Sequence, residues 1–66
     1  MIYGLYIINP NGSETLFVKD KSKVYLRTYL DPDRTQISES ETTSEREVYY
    51  GVSGNKYIIK EVKGNA

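Results

Sequence analysis

The chain reads as a small all-β domain, an antiparallel meander of five or six strands or a partly closed barrel. Three observations predict that class. Seven tyrosines stand in 66 residues beside one phenylalanine and no tryptophan, and they fall within short runs of β-branched and aromatic residues. The runs alternate with a period of two, the pattern of strands with one wetter face. Turn signals separate them: Asn9-Pro10-Asn11-Gly12, Asp31-Pro32-Asp33 and Ser53-Gly54-Asn55.

The first strand covers residues 2–8. A two-residue Asn11-Gly12 loop after it would put Pro10 at a ladder position, where proline has no N–H to give. A type I turn with Pro10 second and Gly12 at positive φ in a bulge avoids that conflict. It sets Ile8 opposite Glu14, Tyr6 opposite Leu16, Leu5 opposite Phe17 and Tyr3 opposite Lys19. The first strand is apolar on both faces, as expected of a strand covered on both sides.

Residues 20–23 read as a polar turn. Residues 24–30 then alternate as a third strand, with Val24, Leu26, Thr28 and Leu30 on the core face and Tyr25, Arg27 and Tyr29 on the other. Asp31-Pro32-Asp33-Arg34 suits a type I turn. Residues 35–40 fit a short edge strand with Ile37 inward, and residues 39–45, all Glu, Ser and Thr, a flexible loop. Ser44-x-x-Glu47 matches a capping box, but the β-type Val48-Tyr49-Tyr50 that follows favours a strand. Residues 45–52 and 56–62 form the last hairpin. Gly54-Asn55 suits a type II′ loop, setting Val52 opposite Tyr57 and Tyr50 opposite Ile59. Val48 shares that core face, while Glu47, Tyr49, Ile58 and Lys60 lie on a wetter reverse. Residues 1–63 thus make one domain, and residues 64–66 are expected to fray. The layout is similar to that of SH3-like and OB-like barrels, with no family motif.

A chain this short buries only ~60% of its unfolded surface, and such domains lean on disulfides, a metal or self-association. There is no cysteine, so the first is excluded; with no histidine either, the usual zinc ligands are missing. A two-fold homodimer, joined by an edge strand or the Tyr25/Tyr29 face, is therefore expected. The lysines at 19, 21, 23, 56, 60 and 63 stand where they could instead guard strand edges. The apolar start has no preceding basic residues and is too short to span a bilayer. A cytoplasmic protein with no membrane contact is expected.

Charge is balanced overall but not along the chain. Basic and acidic side chains number four against two in residues 1–30, two against six in 31–47, and three against one in 48–66. With no histidine, a nucleophilic triad lacks its usual base. The acids cluster on one loop without the spacing of a calcium-binding hand, and the glycines are scattered. No enzyme activity, cofactor or metal is expected. Tyr25, Arg27 and Tyr29, with Lys23 before them and Tyr49 on a later strand, combine the residue types enriched at protein interfaces. The expectation is a binding module: an inhibitor, adaptor or accessory subunit, of the kind a virus or mobile element encodes. A single-stranded nucleic-acid platform is the alternative, since aromatics beside lysines can stack bases. Zero net charge and the acidic middle weigh against it. A structural, self-assembling subunit is a second alternative.

Overall fold

Strand β1 (Tyr3–Ile8) lies inside a five-stranded antiparallel sheet, between β2 (Glu14–Asp20) and β5 (Lys56–Glu61). Beyond β5 come β4 (Arg46–Tyr50) and the two-residue β3 (Gln36–Ile37), giving the order β2-β1-β5-β4-β3. Helix α1 (Lys23–Thr28) and a 3₁₀ turn at Asp31–Asp33 connect β2 to β3. The computed structural model describes residues 1–62, so the expected fraying of residues 64–66 lies outside the described residues. The all-β class holds: among the described residues every strand pairing is antiparallel and the one α-helix has six residues. A β1–β2 hairpin and a β3-β4-β5 meander are joined by pairing β1 with β5.

The first hairpin turns as its proline requires. The Gly12 N–H donates to the Asn9 carbonyl at 2.8 Å, Asn9 N–H donates to Ser13, and Gly12 has φ +90°. The expected register holds from Ile8–Glu14 to Tyr6–Leu16. There a β-bulge intervenes, so that Leu5 faces Val18 and Tyr3 faces Asp20. Two residues of β2 then answer one of β1, and both Phe17 and Val18 serve the same side. Val18 packs against the core while the Phe17 ring meets Tyr29.

The second hairpin uses the same turn, where a type II′ loop was expected. Gly54 N–H donates to Gly51 at 3.0 Å, Gly51 N–H donates to Asn55 at 2.9 Å, and Gly54 has φ +96°. Val48 therefore faces Ile58, Tyr49 faces Tyr57, and Tyr50 faces Lys56. An odd shift of register exchanges the faces. Tyr49, Tyr57 and Ile59 join the helix side, Val48 and Ile58 are buried on the other, and Tyr50 and Val52 stay exposed.

Residues 24–30 are the largest departure from the expected strands. Ser22 caps a helix there, its hydroxyl accepting from Tyr25 N–H at 3.2 Å, and the Asp20 carboxylate fixes the Ser22 N–H at 2.8 Å. Leu26 and Leu30, four apart, bury themselves against Leu5 and Ile59, while Val24 and Thr28 are exposed. Burial outweighs the β preference of Val, Tyr and Thr, because the apolar sheet face needs a cover. Ile37, expected inward, is also exposed on its short edge strand.

Among the described residues, no helix covers the opposite face. Lys56 and Lys60 lie four apart on β5, on either side of buried Ile58. Lys56 pairs with Glu41 at 2.8 Å and lies 5.6 Å from the Tyr50 ring centre; Lys60 pairs with Glu14 at 2.9 Å and lies 4.9 Å from that of Tyr6. Lysine stems cover apolar surface while their charged heads stay near water. The acidic stretch, expected to be a free loop, is tied to this face: Val48 N–H donates to Thr42 Oγ1 at 3.0 Å, and Ser38 N–H donates to the Val48 carbonyl at 2.7 Å.

Candidate functional site

The tyrosines of α1 follow from its periodicity. With Leu26 and Leu30 turned to the sheet, Tyr25 and Tyr29 form a second row four residues apart, beside the β2 edge. Their rings meet edge to face with centres 5.4 Å apart, and their hydroxyls share a hydrogen bond of 2.9 Å. Phe17 packs edge to face on Tyr29 at 5.8 Å, brought there by the bulge in β2. Together with Thr28 and Pro32 these rings line an open groove of about 490 Å³. Phe17 is 57% exposed, Tyr25 47% and Tyr29 38%. The hydrogen bond with Tyr29 raises the Tyr25 phenol pKa above its ordinary value.

Arg27 and Tyr49 come together, but at the helix–sheet joint. Arg27 Nε and Nη2 donate to the two carboxylate oxygens of Glu47 at 2.9 and 2.5 Å, and the Tyr49 hydroxyl donates to Glu47 Oε1 at 2.8 Å. Two parallel bonds of this kind fix geometry as well as charge. The guanidinium holds the Glu47 carboxyl below its usual range, and burial chiefly pushes the Tyr49 phenol up. Lys23 lies elsewhere, 4.8 Å over the Tyr3 ring, beside a cleft of about 450 Å³ that Arg46, Lys60 and Glu61 also line. Of the five residues singled out in the sequence, Tyr25 and Tyr29 therefore share the groove, and Arg27 and Tyr49 share a strut. Phe17 and Pro32 were not legible as site residues. Nothing local marks the bulge that presents Phe17, and Pro32 reads only as a turn former.

Two more carboxylates hold loops. Asp33 accepts from Ser53 N–H at 3.0 Å, the Ser53 hydroxyl at 2.6 Å and the Tyr57 hydroxyl at 2.7 Å. These bonds, led by the Ser53 hydroxyl, depress its pKa. A Cβ at position 51 would fall 1.8 Å from Asp33 Oδ2, so the clasp requires glycine there. Glu41 accepts from Lys56, Tyr50 and Ser38, and the Lys56 ammonium leads in lowering its pKa to about 2. Among the described residues, no group of three or more acids gathers as a metal site, and no helix is long and apolar enough to cross a membrane. No protein-family model matches the chain, and comparison with curated proteins and with solved structures returns no match.

Proposed function

We propose that this chain is a small non-catalytic binding module that docks on another protein through the Phe17/Tyr25/Tyr29 groove. One observation carries the reading: three aromatic rings, Phe17 and Tyr25 each packed on Tyr29, lie open on one surface while the apolar core lies elsewhere. Rigid aromatic anchors of this kind dominate protein interfaces. The hydroxyl pair adds a polar point among the rings, which suits tyrosine at surfaces that are wet when free and dry when bound. Docking of this sort serves an inhibitor, an adaptor or an accessory subunit equally. Stacking of single-stranded nucleic acid draws less support. Arg27, the cation between the two tyrosines, is held by Glu47, and the exposed rings already meet one another edge to face.

The test is affinity capture from the source cell with the wild-type chain and with the Tyr25→Ser/Tyr29→Ser variant. One dominant protein, retained through nuclease treatment and lost with the double variant, is the expected outcome. Recovery of the same protein at undiminished yield by the variant overturns the reading. So does binding of a short single-stranded oligonucleotide that weakens steeply with salt, the signature of counterion release.

A further inference from the structure

The open edge of β2 lies next to the aromatic groove. β2 pairs only with β1, so among the described residues its outer backbone edge has no strand partner. Leu16 and Phe17 are exposed on it, and Lys19 and Lys21 are exposed at the corner where it turns toward α1. Arg27, Lys56 and Lys60 each meet a carboxylate, whereas among the described residues neither Lys19 nor Lys21 does. Asp20, between them, is committed to the Ser22 N–H of the helix cap. An unpaired edge thus runs between the aromatic groove on the helix side and Lys19, opposite Gly4, on the other face, with Lys21 at its end.

The geometry points to an extended acidic segment of a partner protein as the occupant. It adds as a sixth strand to the outer edge of β2, sets carboxylates against Lys19 and Lys21, and seats an apolar side chain in the Phe17/Tyr25/Tyr29 groove. Strand addition draws its affinity from backbone hydrogen bonds and its selectivity from alternate side chains. The charge pattern chooses an acidic strand over a second copy of this chain. Antiparallel self-pairing centred on Phe17 sets Glu14 against Asp20, and like charges directly opposite are destabilising. Self-pairing centred on Val18 sets Asp20 against Leu16 and Lys19 against Phe17, which leaves both charges unmatched. The lysines thus repel basic strands and admit acidic ones, selection by exclusion as well as by attraction.

The inference rests on the docking reading above and is tested apart from it. The full ¹⁵N-labelled chain is titrated with a synthetic peptide alternating glutamate with valine and tyrosine, and with its counterpart carrying lysine for every glutamate. The acidic peptide should shift the amide signals of residues 14–20 together with those of Tyr25 and Tyr29. Lys19→Glu with Lys21→Glu should weaken it about tenfold and let the lysine counterpart bind instead. Equal response to both peptides, shifts that leave β2 untouched, or self-association that the acidic peptide does not displace each overturns the proposal. If the native partner is lost on Tyr25→Ser/Tyr29→Ser but kept on Lys19→Glu/Lys21→Glu, docking stands and the acidic strand falls. If both variants keep it, both readings fall.

Discussion

Tyr25 and Leu26 are neighbours in sequence with opposite surroundings, and single substitutions should separate them. Leu26 has no exposed surface, so Leu26→Ala opens a cavity beneath the helix and should cost ~2–5 kcal/mol, read from urea unfolding midpoints. Tyr25→Ser with Tyr29→Ser removes two edge-to-face contacts, Tyr25–Tyr29 and Phe17–Tyr29, that are half in water, and should cost about 1–2 kcal/mol. A double variant that unfolds while Leu26→Ala is tolerated would show the groove to be core. Gly51→Ala belongs to the same scale. The new methyl group occupies the place of the Asp33 carboxylate, so the Ser53 and Tyr57 bonds to Asp33 should break. Faster hydrogen exchange at the Ser53 amide is the measurement, and unchanged protection there would rule the clasp out.

The elements show how much of this molecule is written locally. All five strands, the first turn and its register near Gly12 were legible, because Pro10 leaves one turn type open and the alternation does the rest. Helix α1 was not. Leu26 and Leu30, like Tyr25 and Tyr29, are four apart, an interval that puts residues on one face of a helix and of a strand alike. Only Val24 and Thr28 could decide, and their β-branched chemistry favoured the strand. The overlooked signal is Ser22 as a cap with Asp20 behind it. Ser22→Ala should therefore cost about 1 kcal/mol, measurable by the same urea titration. No loss at all would mean that packing of the two leucines alone sustains the helix. The second hairpin was illegible for a different reason. Its turn is clasped by Asp33, twenty residues away from Ser53, and no local pattern carries that. The Arg27–Glu47 strut is hidden in the same way, so the sequence gives no means of telling that Arg27 is engaged rather than free. Tyr25 and Tyr29 were found as exposed through an argument about strand faces that the helix replaces, yet the four-residue spacing preserves the answer.

Over the whole molecule, one sheet face is sealed by a helix and the other by charged side chains, and the two should respond differently to solution conditions. Asp33, Glu41 and Glu47 all have folded pKa values below those of the unfolded chain. A depressed carboxyl pKa contributes stability that is complete above the unfolded value and is lost as pH falls through the folded one. For Glu41 that window runs from 4.5 down to about 2. Urea midpoints should thus be flat near neutrality and fall steadily through this window, and Glu41→Gln should remove part of the slope. A slope unchanged by that substitution would assign the acid sensitivity to other groups. The Lys56–Glu41 and Lys60–Glu14 pairs are partly exposed, so added salt should loosen their face before the helix side. The sheet order has a consequence for how such a chain is made. β1 pairs along its full length with β5, Ile8 against Lys56 and Tyr3 against Glu61. On the ribosome, β1 and β2 emerge before β5, as a hairpin with one long edge bare, and such a hairpin alone is marginal in water. The central seam of the sheet forms only after residue 61 has been added and has cleared the exit tunnel. The seam must therefore wait for β5, and until then the bare edge of the nascent hairpin is open to a chaperone or a stray strand.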